Sequence, residues 1–183
     1  DETAALVRAQ GRRCLVIPTD VTHSPAVNAM VDATIAEFER IDILVNNAGG
    51  ATRGMNRPVE AITDEQWRTG IDVNLSGAFY CCRAALPHMM RQGSGKIINV
   101  TSGLGVRAGR NNIIYSTAKA GLINFTRVLA MNYADKNIQS TLILLGIFPH
   151  DDPELLAYWQ GGKFSPVGRP GKDTELGPLC VFL

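Results

Sequence analysis

Tyr115 and Lys119 are the side chains of this 183-residue chain best placed to do chemistry, with Ser102 and Asn74 upstream of them. In a helix, residues four apart share a face about one turn apart, so the Lys119 ammonium should lie beside the Tyr115 ring edge. An unperturbed tyrosine titrates near pH ~10. A neighbouring cation favours the phenolate, which brings the hydroxyl towards the working range of a proton donor or acceptor. Ser102 follows the apolar run Ile97, Ile98, Val100 and is set to deliver a second hydroxyl from a strand end. A tyrosine with a lysine four residues later also arises by chance on solvated helices, so the pair gains weight only from its company.

The elements that must carry these residues can be read from periodicity. Residues 2 to 10 read as the end of a helix stopped by Gly11. Cys14–Ile17 reads as a short buried parallel strand that leads into Thr19, Asp20 and Val21. Helical spacing over 24 to 40 precedes a strand over Ile41–Val45, which ends in Asn46, Asn47, Ala48, Gly49 and Gly50. A polar residue at the C-terminal end of a parallel strand is where open α/β sheets place ligand contacts, and small residues let backbone approach a ligand. The ordinary role of Asp20 is to cap the turn that follows it, and that of Asn46 is to tie its loop.

Residues 50 to 62 read as loop, and Thr63 with Gln66 forms a capping-box start for a helix that carries Trp67. A long helical pattern over 71 to 90 holds Asn74 in its first turns, and a strand over Lys96–Val100 delivers Thr101 and Ser102. Residues 103 to 114 are rich in glycine, arginine and asparagine and lie outside any regular element. They let Ser102 and Tyr115 converge. The helix over 115 to 134 bears the stripe Ala118, Leu122, Phe125, Leu129 and Tyr133, and Thr141–Leu145 reads as another buried strand followed by Gly146.

Composition narrows the function classes. A net charge of +1 gives no reason to expect nucleic acid or an anionic membrane as partner, and 45% hydrophobic residues suffice for one buried core. No apolar run approaches the ~18 residues that span a bilayer, and the first residues lack the pattern of a signal peptide, so a cytoplasmic protein is expected. The four cysteines form no metal spacing and read as buried thiols, and His23, His88 and His150 lie far apart, so no metal site is expected.

Taken together, Asp20-Val21, Asn46-Asn47-Ala48-Gly49, Asn74-Leu75-Ser76-Gly77, Ser102 and Tyr115-x-x-x-Lys119 occur in an order that resembles the single-domain short-chain dehydrogenases/reductases, over residues 1 to 183. The resemblance implies an α/β doubly wound, Rossmann-like parallel sheet, with the whole chain as one domain. It implies an NAD(P)-dependent oxidoreductase that interconverts a carbonyl and an alcohol, closest in flavour to 3-oxoacyl-thioester reductases and polyol or sugar dehydrogenases. Tyr115 would be the acid/base, Ser102 would hold the substrate oxygen, Lys119 would bias Tyr115 and bind ribose, and the helix distortion at Asn74 would hold a relay water. NAD or NADP would contact Asp20, Val21, Asn46, Ala48, Gly49, Tyr115, Lys119 and Gly146. The competing reading is a non-catalytic dinucleotide-binding or interaction protein that retains the scaffold.

The sequence departs from the family pattern at Leu145, where a proline precedes the glycine, and at His150, where a threonine would hold the nicotinamide carboxamide. Residues 150 to 165 would form a lid over the substrate, and 166 to 183 a hinge and last helix. Arg53, Arg107 and Arg110 could meet an anionic substrate, though loop arginines more often face solvent. The glycine-rich first βαβ unit and the last strand of the family are not in the sequence. Either it omits parts of a longer folded protein or it is a gene fragment, unstable and inactive alone. The helices over 71 to 90 and 115 to 134 carry more apolar residues than one sheet face needs, which leads to an expected homo-oligomer, dimer or tetramer.

Overall fold

The structure is a computed structural model that describes residues 2–50, 57–148 and 167–183. Three parallel strands, β1 (Ile43–Asn46), β2 (Gly95–Ser102) and β3 (Ile138–Leu145), form a sheet in the order β1-β2-β3. Asn46 pairs with Asn99 and Ser102 with Leu145, so the strands' C-terminal ends lie along one edge. The central strand β2 has a ladder on each side. Its β-branched run Ile97–Thr101 is almost wholly buried, as a parallel strand with both faces covered requires.

Around the sheet lie α1 (Glu2–Ala9), α2 (Ser24–Phe38), α3 (Asp64–Ile71), α4 (Gly77–Gln92), α5 (Ile113–Tyr133) and α6 (Gly177–Phe182). Both reciprocal bonds of the Thr63–Gln66 capping box are present at the start of α3. Where two helices were expected, α3 and α4 are one continuous helical run, joined through a π-helical turn over Asp72–Ser76. A π turn shifts hydrogen bonding from i−4 to i−5, so Gly77 N–H bonds the Asp72 carbonyl. Helix α4 closes at Gly93, whose φ of +70° is the left-handed cap that glycine adopts without cost.

The core sits where α4 and α5 meet one face of the sheet. Cys82, Leu86 and Met89 of α4, Leu129 of α5, Ile97 of β2 and Ile138 of β3 form one buried cluster, against which Ile41, Leu44, Phe125 and Tyr133 pack. Because side chains alternate along a strand, Ile97, Asn99 and Thr101 all face these helices. On the opposite face, Lys96 donates to the carbonyl of Leu183 just past α6.

Three expectations are corrected. Cys14–Ile17 joins no ladder among the described residues, and Leu15 and Val16 are 42% and 43% exposed: β propensity alone does not make a strand without a hydrogen-bonded neighbour. Residues 103 to 114 are not wholly irregular, since Gly103–Gly105 makes a 3-10 turn and α5 starts at Ile113. Of the four thiols only Cys81 and Cys82 are buried, while Cys14 is half-buried and Cys180 exposed. No helix among the described residues is long and apolar enough to cross a membrane.

The junction of α4 with β2 tolerates no added atom. A β-carbon at Gly95 would stand 2.6 Å from Met89 Sδ and 2.9 Å from Met89 Cβ, and Met89 is fully buried. Gly95→Ala is expected to destabilise the fold by about 1–3 kcal/mol through overpacking. Urea unfolding of Gly95→Ala, Met89→Ala and the double variant checks this. The double variant should be more stable than the sum of the two losses, and additivity would show that the two residues do not press on each other.

Candidate active site

The C-terminal edge of the sheet gathers most of the residues singled out by sequence. Ser102 is the last residue of β2, and its Oγ accepts the Leu104 N–H at 3.2 Å, which folds the chain into the 3-10 turn that follows. Two residues into α5, Tyr115 lies close enough to Ser102 for that hydroxyl to act on its ionisation. One turn later Lys119 is buried, with Nζ 5.6 Å from the Tyr115 ring centroid and donating to the Val100 carbonyl at 3.0 Å. That carbonyl lies one residue past the last β1–β2 pair, Asn46 with Asn99.

The electrostatics correct the expected effect of the lysine on the tyrosine. Burial pushes the Tyr115 hydroxyl above its ordinary range, and only the Ser102 hydroxyl opposes this. The lysine gives up its proton before the tyrosine does, so no positive charge is present to lower the tyrosine when it titrates. Burial pulls Lys119 itself down to about 8, and among the described residues the Val100 carbonyl alone hydrogen-bonds it in place of its lost water.

Asn74 lies in the π turn and is buried. Its Nδ2 donates to the Gly70 and Gly50 carbonyls at 3.0 and 3.1 Å, and its Oδ1 accepts the Gly50 N–H at 2.9 Å. Both donors of its amide are thus committed to main chain, so this side chain could meet a relay water only as an acceptor, through the second lone pair of Oδ1. Gly49, at φ +144°, passes so close that a β-carbon there would stand 2.7 Å from Asn74 Oδ1 and 3.3 Å from Lys119 Nζ. Glycine is required here by steric contact as well as by backbone angle. The adjacent Ala48 is exposed.

The remaining residues divide. Val21 packs against the first residue of α4, 2.9 Å from where a β-carbon of Gly77 would lie, so it too borders the π turn. Asp20 is exposed and its Oδ1 accepts both the N–H and the Oγ1–H of Thr22, at 2.9 and 2.8 Å, which holds its carboxyl below the usual range. It does cap the turn that follows. Gly146 is exposed, one residue past the partner of Ser102 on β3. Asn46 turns away from the edge into the core, where its Nδ2 donates to Asn99 Oδ1 at 2.7 Å and contacts Cys82 Sγ at 3.3 Å. Arg107 and Arg110 are exposed on the loop before α5, while Arg53, His150 and the expected lid lie outside the described residues.

Several residues beside the site escaped sequence reasoning. Asn99 Nδ2 donates to Thr126 Oγ1 at 2.9 Å, Thr126 Oγ1 donates to the Leu122 carbonyl at 2.7 Å, and Thr101 Oγ1 donates to the Lys119 carbonyl at 3.2 Å. All three side chains are buried. The available signal was polarity inside apolar runs: Asn99 and Thr101 interrupt Ile97, Ile98 and Val100, and Thr126 sits between Leu122 and Leu129. Gly105 is a close approach of the same kind, since a β-carbon there would stand 2.9 Å from the carbonyl carbon of Lys119.

Comparison with known proteins places this architecture. A family model described as short chain dehydrogenase matches residues 1–151. The cis-4-hydroxycyclohexanecarboxylate dehydrogenase of Sinomonas cyclohexanicum is 36% identical over an alignment that covers the whole chain and 74% of that protein. Among solved structures, a gluconate 5-dehydrogenase from Burkholderia cenocepacia J2315 in complex with NADP and tartrate superposes with a TM-score of 0.87 at 30% identity, over the whole chain and 72% of that protein. An NAD+-bound xylitol dehydrogenase does so with a TM-score of 0.89 at 29% identity, over the whole chain and 76% of that protein. A sheet edge that brings a serine, a tyrosine and a buried lysine together, a family model that covers most of the chain and relatives matched along its whole length lead to one assignment: the chain belongs to the short-chain dehydrogenase family.

Proposed function

We propose that this chain acts as an NAD- or NADP-dependent oxidoreductase that interconverts a carbonyl and an alcohol, with Tyr115 as proton donor and acceptor. The observation that carries the reading is the convergence of Ser102, at the end of β2, and Tyr115, in the first turn of α5, beside a buried Lys119 whose Nζ lies 5.6 Å from the tyrosine ring centroid. In reduction, the Tyr115 hydroxyl gives its proton to the substrate carbonyl oxygen, and the Ser102 hydroxyl donates a hydrogen bond to the same oxygen. The hydroxyl holds its proton until substrate arrives because burial raises its pKa, which suits an acid. Lys119 then stabilises the phenolate left behind. Asn74 fixes the π turn, whose main chain holds the water that returns a proton from solvent.

The residues fit a dinucleotide. Among the described residues Lys119 uses one of its three donors, on Val100, and the others would meet ribose hydroxyls next to the small, exposed Ala48–Gly49 turn. Asp20 and Val21 would hold the adenine end of such a cofactor and Gly146 the nicotinamide end, while Asn46 would support the Ala48–Gly49 turn through its bond to Asn99. A bound nicotinamide supplies or accepts the hydride. The substrate is a small molecule of the kind the relatives' names describe, a hydroxylated ring acid, sugar acid or polyol, or a 3-oxoacyl thioester.

The protein also assembles with copies of itself through α4 and α5. Of the apolar residues on these helices, Cys82, Ala85, Leu86, Leu122 and Leu129 are spent on the core, and Phe125 is half-buried against it. Phe79, Val128 and Met131 remain 41%, 44% and 83% exposed, and Phe79 meets Phe125 edge-on at 6.2 Å. Closed pairing of these helices would cover them. Val128→Asp, which leaves the core untouched, is expected to convert the oligomer to monomer in light scattering. A monomeric parent protein would contradict the assembly.

Turnover is tested with NADH and NADPH, or their oxidised forms, against cis-4-hydroxycyclohexanecarboxylate, gluconate, xylitol and a 3-oxoacyl thioester. Tyr115→Phe should lower kcat by roughly 10²–10⁴-fold with cofactor affinity nearly unchanged, because it removes a proton and little contact area. Lys119→Met should weaken both. Cofactor binding without turnover on any substrate would favour the scaffold-only reading.

The lysine also predicts a pH dependence of stability. Its pKa is about 8 folded against 10.5 unfolded, so below pH 8 the native state bears the whole desolvation cost, and the cost fades as pH rises from 8 to 10.5. Without ligand, Lys119→Met should therefore be more stable than the parent at pH 7, by an amount on the order of 3 kcal/mol. The difference should shrink towards pH 10.5. Thermal melts across that range check it, and a gap that widens with pH would contradict the buried-cation account.

A further inference from the structure

We infer that Asn99 and Thr126 are positioning residues for this reaction: their buried hydrogen bond fixes the rotation and height of α5 on β2, and so the places of Lys119 and Tyr115. The inference rests on the catalytic reading proposed above. Three consecutive residues of β2 grip the helix. Asn99 Nδ2 donates to Thr126 Oγ1 at 2.9 Å, the Val100 carbonyl accepts from Lys119 Nζ at 3.0 Å, and Thr101 Oγ1 donates to the Lys119 carbonyl at 3.2 Å. Thr126 lies seven residues beyond Lys119, two turns along the same face, so α5 is held at two heights about 10 Å apart. Asn46 Nδ2 donates to Asn99 Oδ1 at 2.7 Å and fixes which way that amide points, and Thr126 Oγ1 passes its own proton to the Leu122 carbonyl at 2.7 Å.

Stability alone does not call for this chain of polar groups. Asn99 is 0% exposed and Thr126 2%, amid Ile97, Leu122 and Leu129, where apolar side chains of like shape would pack as well. What apolar contact lacks is direction. A helix seated on Leu and Ile alone can turn by about 10°, which moves a side-chain tip at a radius of about 6 Å by about 1 Å. A displacement of that size at a reacting group is costly to rate. Hydrogen bonds from β2 to α5 on either side of Val100 remove that freedom, and no sheet or helix ladder requires them.

The test compares Thr126→Val, which keeps shape and loses the acceptor, with Thr126→Ser, which keeps the hydroxyl. Turnover is measured with the best substrate of the panel above, and the Lys119 side chain is titrated by NMR in the cofactor-free protein. Thr126→Val is expected to lower kcat about 10-fold with KM for substrate within about 2-fold, and to move the Lys119 titration upward from about 8, as the ammonium leaves its buried place. Thr126→Ser should restore both. If the valine variant does not fold, Thr126→Cys replaces it with the same expectation. Wild-type kcat and Lys119 titration in Thr126→Val, or equal impairment of the serine variant, would overturn the inference. Tyr115→Phe is measured alongside: if it keeps full turnover, the proton-donor reading has failed, while the Lys119 titration still reports on the alignment.

Discussion

The seating of one helix on one strand is the constraint on which the site depends. Strand β2 presents an amide, a main-chain carbonyl and a hydroxyl in succession at Asn99, Val100 and Thr101, and α5 answers with Thr126, the Lys119 ammonium and the Lys119 carbonyl. Each element is regular, so the two turns between Lys119 and Thr126 behave as one rod. Hydrophobic burial supplies the bulk of the attraction through Met89, Ile97, Leu122 and Leu129, but it is non-directional. The directional bonds convert an attraction into an alignment, and Ser102, the next residue of the strand but one after Val100, meets Tyr115 as a result.

A second seat comes from the opposite side of the cleft. The π turn at Asp72–Ser76 points Asn74 at the Gly49–Gly50 backbone, and a glycine at 49 brings that backbone against Lys119. Three separate stretches of sequence therefore meet at the ammonium. None of them can move without the others, because the amide of Asn74 has both donors bound and Gly49 has no room for a side chain.

Much of this was legible in the sequence for physical reasons. The apolar run before Ser102 and the capping box at Thr63 are local signals that tertiary packing reinforces, and they marked β2 and the start of α3 to within a few residues. The i, i+4 spacing of Tyr115 and Lys119 likewise held, because α5 is helical from Ile113 onwards. What was not legible depends on partners distant in sequence. Cys14–Ile17 has strand composition and no ladder; the π turn replaces a single helix start at 71; and Asn46, assigned to ligand from its place at a strand end, is drawn inward by Asn99, 53 positions away. The ionisation of Tyr115 went the opposite way from expectation, since spacing gives the presence of a charge but not the depth of burial, and depth decided the sign.

Lys119 joins the life of the protein to its ligand. The buried ammonium, with one hydrogen bond for three donors among the described residues, makes the free protein less stable than its packing would allow. A ligand whose oxygens meet the two spare donors relieves that cost in the native state alone, so by mass action the folded population rises with ligand concentration by more than contact area would give. Since degradation in cells draws on the unfolded fraction, the abundance of such a protein becomes tied to the supply of what it binds. On the proposed reading, a residue held for chemistry would thereby also set how long the empty protein lasts.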